Sequence, residues 1–235
     1  MKTIGLLGGM SWESTLSYYK LINEGVKEAL GGLNSAKICM YSVNFSEIEK
    51  LQHQGKWEET ASILSDAASS IEKGGGADFI LICTNTMHKV APQIEASINI
   101  PPILHIADAT AELLREKGGV QKVGLLGTQF TMEQDFYKGR LSDRYGLDVV
   151  IPDQDDRSKV HNIIYKELCQ GEIKEESRTI YLQIIEKLKE QGAEAVILGC
   201  TEIALLVNQS HTDVTLLDTT SIHAQAAVRL AIEGE

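Results

Sequence analysis

Gly74-Gly75-Gly76-Ala77-Asp78-Phe79-Ile80-Leu81-Ile82-Cys83-Thr84-Asn85-Thr86-Met87 and Gly192-Ala193-Glu194-Ala195-Val196-Ile197-Leu198-Gly199-Cys200-Thr201-Glu202-Ile203 read almost alike. In each, glycine leads into a short apolar run that ends in Cys-Thr, the pattern of a buried strand with a thiol at its carboxyl end. Two further matches accompany this one. Gly5 against Gly124, Cys83 against Cys200, and Ile103 against Val214 or its neighbour give offsets of 119, 117 and about 112 residues. Such near-constant spacing argues duplication.

The surrounding pattern alternates between strand and helix periods. Strands are predicted at 2–7, 36–43, 79–82 and 103–106, the last introduced by Pro101-Pro102, and again at 122–126, 149–151, 195–198 and 214–217. Helices are predicted at 12–30 with Ser11 as cap, at 56–73, around Val90, Ile94 and Ile98, and to about 117 with Asp108 as cap. In the second half they fall at 131–145, 158–169, 175–191 and from 221 onward. Strands interleaved with helices imply an α/β fold of two pseudo-symmetric Rossmann-like lobes, each a mostly parallel four-stranded sheet flanked by helices. The expected boundaries are 1–115 plus about 212–235 for the first lobe and 116–211 for the second. A ligand is expected in the cleft between them, at the carboxyl ends of the strands.

Composition removes several function classes. With 33 acidic against 22 basic residues, a formal charge of -11 and no basic cluster, neither nucleic acid nor an anionic membrane surface is an expected partner. No apolar run approaches the roughly 18 residues of a membrane span. The apolar start, 4–7, is cut by Gly8-Gly9, unlike an export signal, so a cytoplasmic location is expected. Cysteines 39, 83, 169 and 200 lack close pairs and read as free thiols. The six histidines form no HExxH pattern, and neither GxGxxG nor GxxxxGK[ST] occurs, so no metal and no cofactor are expected.

A lone cysteine at a strand end is ordinarily a small buried hydrophobe. Two at equivalent points of a repeat, each followed by threonine and a predicted helix start, indicate chemistry instead, because a helix amino terminus eases thiolate formation. Stereoinversion by proton removal needs a base on one face of a carbon and an acid on the other, and thiols can serve as either near neutral pH. Amide donors at Thr84, Asn85, Thr86 and Thr201 suit a substrate carboxylate and the charge that develops beside its α-carbon. Cys39 and Cys169 lack the following threonine and read as structural; His88 reads either as a site contact or as a helix residue with a local hydrogen bond, and His105 and His223 as supporting residues.

Residues 5–15 (GLLGGMSWEST), 83–88 (CTNTMH), 124–128 (GLLGT), 163–168 (IIYKEL) and 199–203 (GCTEI) resemble the aspartate/glutamate racemase family, over essentially the whole chain. The resemblance implies a racemase that works without pyridoxal phosphate, commonly dimeric, so a homodimer acting on a small-molecule amino acid is expected. It also implies Cys83 and Cys200 as the catalytic pair, with Met10, Ser11, Gln52, Thr84, Asn85, Thr86, Thr128, Thr201 and Glu202 binding substrate. Thr131 is a weaker candidate beside Thr128. Family members strict for aspartate tend to present an arginine after the second strand and a lysine near residue 170. Here those regions read 47–53 (EIEKLQH) and 168–171 (LCQG), so neutral and polar amino acids stand beside aspartate and glutamate as expected substrates. Decarboxylation or cis-trans isomerisation of a small diacid, and simple amino-acid binding without catalysis, are the competing readings.

Overall fold

The glycine-bounded apolar runs form the central strands of two parallel sheets. In the computed structural model, which describes residues 1–100 and 103–233, the chain divides into two compact units, Met1–Ile106 with His223–Glu235, and Ala107–Ile222. These change over at 106/107 and 222/223, where the repeat pattern places the lobe boundaries at 115/116 and near 212.

In the first unit the order is β1 (Ile4–Gly8), α1 (Trp12–Leu30), β2 (Ile38–Ser42), α2 (Phe45–His53), α3 (Trp57–Gly75) and β3 (Phe79–Ile82). A 3₁₀ turn (Thr86–Val90), α4 (Ala91–Glu95) and the start of α5 (Ile106–Lys117) follow. The sheet order is β2-β1-β3, all parallel. Alternation of side chains across the strands sorts the core into two faces. Leu6 and Leu81 pack with Tyr18, Ile22 and Val26 of α1 and with Ala224 and Ala227. Leu7, Ile80 and Ile82 pack with Leu64, Ala68 and Ile71 of α3.

The second unit runs through the rest of α5, β4 (Lys122–Gly127), α6 (Gln129–Glu133), α7 (Asp135–Tyr145), β5 (Asp148–Val150), α8 (Gln154–Lys166) and a 3₁₀ turn (Leu168–Gln170). Then come α9 (Glu175–Glu190), β6 (Ala195–Gly199), α10 (Ile203–Leu206), a 3₁₀ turn (Gln209–His211), β7 (Thr215–Asp218) and α11 (Thr219–Ile232). Its sheet order is β5-β4-β6-β7, again all parallel. Each sheet thus begins second edge, first centre, third beyond it, and each is flanked by helices, as the repeat requires.

Four local expectations are corrected. Among the described residues the first sheet has three strands rather than four. The stretch expected as the fourth makes a single ladder-like bond, Leu104 N–H to the Ile80 carbonyl at 3.0 Å. The Leu104 carbonyl instead accepts from His223 Nε2 at 2.6 Å, and the Ile106 N–H is taken by His88 Nε2 at 3.3 Å. Histidine side chains therefore hold this segment where a strand's backbone partners would. The Pro101-Pro102 pair expected to open it lies outside the described residues. Second, the helix expected over 131–145 is broken at Gln134, which is extended with ψ 150. Third, Asp108 is not a cap but sits in the first turn of α5, gripped by Arg140 through two bonds of 2.6 Å. Fourth, α2 stands where no helix is predicted; it carries just one fully buried apolar residue, Ile48, so its periodicity is faint.

One glycine is indispensable to the turn after β1. Gly9 has φ +91, and a Cβ there would lie 2.3 Å from the Val43 carbonyl oxygen.

Each unit holds a buried titratable group whose protonation bears on its own stability. In the second, buried Asp156 of α8 pairs with Lys159 of the same helix at 2.7 Å and joins α8 to α9 through Lys187 at 2.5 Å. Burial pushes its carboxyl pKa up, but the two lysine contacts outweigh that and hold it below the usual value. The pair's stabilisation is therefore complete above the unfolded carboxyl pKa of about 3.9 and is lost as pH falls through the lower folded value. Asp156→Asn is expected to cost about 1–2 kcal/mol at pH 7, with the half-exposed lysines limiting the loss; denaturant melts should show the gap from wild type closing toward pH 2. In the first unit burial lowers the pKa of His223 to about 4. It stays neutral when folded, whereas the unfolded chain takes up a proton below about pH 6.5, so stability is lost as pH falls from 6.5 through 4. His223→Gln, which keeps an N–H for Leu104, should flatten that part of the stability profile measured by urea unfolding.

Candidate active site

Parallel pairing brings the candidate site residues of each unit to one sheet edge. Leu7 of β1 pairs with Ile82 of β3 and Gly8 with Ser42 of β2, so the segments leaving all three strands start side by side. Met10 and Ser11 leave β1, Cys83 to Thr86 leave β3, and Gln52 comes from α2, which follows β2. In the second unit Gly127 pairs with Gly199, so Thr128 leaves β4 beside Cys200, Thr201 and Glu202. A Cβ on Gly199 would lie 2.8 Å from the Leu126 carbonyl oxygen, so glycine is what allows this approach just before the thiol.

The two first-strand turns are built alike. Ser11 caps α1 by accepting from the Ser14 N–H, and the two hydroxyls stand 3.3 Å apart. Thr128 caps α6 by accepting from the Thr131 N–H, with hydroxyls 3.2 Å apart. Both pairs are offset by 117 residues, the same as the cysteines. Thr15 braces the first turn further, accepting from the Gly9 N–H at 2.8 Å and donating to the Ser11 carbonyl at 2.9 Å. In the second, the Gln129 N–H donates to His161 Nδ1.

Met10, Ser11, Gln52, Cys83, Asn85, Thr86, Thr128, Cys200, Thr201 and Glu202 are all buried, and Thr84 is half-buried. The Cys83 N–H completes the ladder to the Leu7 carbonyl, and its side chain packs on the α1 face of the sheet. Burial alone raises its thiol pKa. Cys200 is raised as well, by burial first, then by the charge of Glu202 and by Cys169. Its sulfur donates to Glu202 Oε2 at 3.0 Å, and Thr201 Oγ1 donates to the same oxygen at 2.8 Å. Both thiols are therefore held as S–H, which corrects the expectation of eased ionisation. The physical reason is length: a five-residue 3₁₀ turn and α4 follow Cys83, and the four-residue α10 follows Cys200, too little aligned backbone to offset desolvation.

Around 47–53 just Ile48 and Gln52 are buried; Lys50 and His53 are exposed, and His53 pairs with Glu49. Cys39 is half-buried against Gly75, where a Cβ would clash with its sulfur. Asp218, paired with Leu198 at the carboxyl end of β7, is a carboxylate that sequence reasoning passes over. Burial raises its pKa, and it accepts from the Thr220 N–H at 2.9 Å. An acidic residue three positions ahead of the helix predicted from 221 is the available signal. Among the described residues no three His, Cys, Asp or Glu side chains are grouped to hold a metal ion, and no helix is long and apolar enough to cross a membrane.

Known proteins share this architecture. The Asp/Glu/hydantoin racemase family model matches residues 7–227. The crystal structure of a candidate Asp/Glu racemase from Yersinia pestis is 55% identical, covers 99% of this chain and 100% of its own, and superposes with a TM-score of 0.91. That of an aspartate racemase homologue from Pyrococcus horikoshii OT3 is 37% identical over 98% of this chain and 99% of its own, with a TM-score of 0.82. The broad specificity amino-acid racemase RacX of Bacillus subtilis (strain 168) is 23% identical over 230 residues, 96% of each chain. With the family model spanning most of its length on a matching two-unit α/β architecture, this chain belongs to the Asp/Glu/hydantoin racemase family and is an isomerase of the racemase type.

Proposed function

We propose that the protein racemises a free amino acid without a cofactor, by two-base proton transfer in which Cys83 and Cys200 work on opposite faces of the substrate α-carbon. The observation that carries this reading is the repeated strand end, a buried thiol followed by threonine at the same point of each unit. In one direction Cys200 passes its proton to the Glu202 carboxylate, 3.0 Å away. The resulting thiolate takes the α-proton, and the Cys83 S–H protonates the other face; the reverse reaction exchanges the roles. A substrate ammonium offsets the desolvation that holds both thiols protonated. Amides and hydroxyls of Thr84, Asn85, Thr86 and Thr201, with the capped turns at Met10, Ser11 and Thr128, hold the carboxylate and the second negative charge that builds on it as the α-carbon loses its proton.

Gln52 supports a substrate with a neutral or polar side chain. It is the buried polar residue of α2, whereas Lys50 and His53, which would have had to supply charge for a distal carboxylate, face solvent. The resemblance to broad-specificity RacX points the same way.

Cys83→Ser and Cys200→Ser are each expected to lower racemisation about 10²- to 10⁴-fold, measured by chiral chromatography. Both directions must fall together in kcat/KM, because the equilibrium constant between enantiomers is one; full activity in the double variant would sink the mechanism. A panel of single enantiomers in deuterated water should show α-deuteration and the mirror isomer for neutral and polar amino acids above aspartate and glutamate. Exchange restricted to the diacids would overturn the substrate reading. Saturable binding without exchange, or conversion of maleate or an arylmalonate instead, would overturn racemisation itself.

A further inference from the structure

Three buried histidines, His88, His105 and His223, cluster in the first unit, where no acid-base role has been given them. The His88 ring lies 4.4 Å from that of His105 and 5.9 Å from that of His223, and Tyr18 meets His223 edge-on. The hydrogen bonds settle which nitrogens carry protons. His223 Nε2 donates to the Leu104 carbonyl, so its Nδ1 accepts from the Tyr18 hydroxyl at 2.8 Å. His88 Nδ1 lies 2.8 Å from the Thr84 carbonyl oxygen and must donate, while its Nε2 accepts from the Ile106 N–H. His88 is thus neutral, in the Nδ1–H form, and burial together with the neighbouring rings of His105 and His223 keeps its pKa well below the ordinary value.

His88 grips the segment after Cys83 twice. Its ring takes the Thr84 carbonyl, and its own backbone N–H takes the Asn85 carbonyl at 3.1 Å. In a trans peptide the carbonyl and the following N–H point in opposite directions. Turning the Thr84 and Asn85 carbonyls toward His88 therefore turns the N–H groups of Asn85 and Thr86 the other way. Those two amides are among the donors assigned to the substrate carboxylate.

We propose that His88 is a positioning residue for the reaction, whose Nδ1–H bond to the Thr84 carbonyl orients the Asn85 and Thr86 amides that stabilise the developing charge. This rests on the reading of the Cys83 segment as the reacting loop. Ile106 N–H serves as the tautomer selector, since a donor at Nε2 leaves the ring proton on Nδ1. A side chain that merely filled space here would need neither bond.

The two halves of the imidazole can be tested apart. Asn at 88 places an amide N–H where Nδ1–H stands; Gln places an amide oxygen near the Nε2 position, facing Ile106, and loses the bond to Thr84. His88→Asn is expected to keep kcat within about threefold of wild type. His88→Gln is expected to lose about 100-fold in kcat with a smaller change in KM, because the lost orientation matters most once charge has developed. Equal losses in both variants at matched thermal stability, or equal retention, would overturn the proposal. Hydrogen exchange at the Asn85 and Thr86 amides should change in the Gln variant alone, a readout that needs no turnover; unchanged exchange in both would also overturn it. Should wild type racemise nothing, the functional reading fails while this exchange result still decides the orienting role. If either variant does not fold, nitrogen-15 spectra of wild-type histidine decide: an Nδ1–H signal for His88 supports the assignment, and an Nε2–H tautomer overturns it.

Discussion

The constraint beneath the whole arrangement is parallel register. When every strand of a sheet runs the same way, everything that leaves the strands toward the helices starts from one edge, and residues distant in sequence become neighbours there. Pairing Leu7 with Ile82 sets Met10 and Ser11 beside Cys83, although more than seventy residues separate them. Pairing Gly127 with Gly199 does the same for Thr128 and Cys200. A one-residue slip would exchange the faces of β3, sending Leu81 toward α3 and Ile80 toward α1, so the buried core on both faces fixes the register and with it the site.

Electrostatics sets the terms on which these thiols can act. Removing a sulfur from water favours the neutral form, and the short helical turns after both cysteines cannot repay that cost. The two sites then differ. Cys83 is raised by burial alone, whereas Cys200 already shares its proton with a carboxylate that Thr201 also engages. A duplicated scaffold has thus kept the same nucleus, strand, thiol and threonine, and diverged in the third residue, Asn85 against Glu202. Ionisation in such surroundings must be coupled to the arrival of charge from elsewhere, which is consistent with a zwitterionic ligand.

Much of this was legible in the residues. β3 stands at Phe79–Ile82, where four apolar residues between Asp78 and Cys83 predict it, and α1 starts at Trp12 behind the Ser11 cap. The duplication reappears in the matching Ser11–Ser14 and Thr128–Thr131 hydroxyl pairs, which share the 117-residue offset of the cysteines. What escaped was short or non-local. α2 buries too few residues to generate a period; Gln134 breaks a helix without any glycine or proline to announce it; and Asp108 looks like a cap until Arg140, thirty-two residues on, claims it. The short turns after both cysteines were hidden for the same reason, since periodicity does not reveal how soon a helix will stop.

Among the described residues the first sheet has three strands against four in the second, and the segment around Leu104 shows how a repeat can change its means while keeping its place. In the second unit β7 pairs with β6 along Ala195–Leu198, and Thr219 then donates its hydroxyl to the Leu198 carbonyl at 2.8 Å. In the first unit the corresponding stretch keeps one backbone bond, from Leu104 to Ile80, gives the Ile103 N–H to Glu95, and gives the Leu104 carbonyl and the Ile106 N–H to imidazoles. A backbone ladder is indifferent to side-chain chemistry, but an imidazole must choose which nitrogen carries the proton. That choice runs from Tyr18 through His223 to Leu104, and from Ile106 through His88 to Thr84. Replacing ladder bonds by histidines has therefore joined the edge of the sheet to the residue after Cys83 through fixed donors and acceptors, a connection that a fourth strand would not have made.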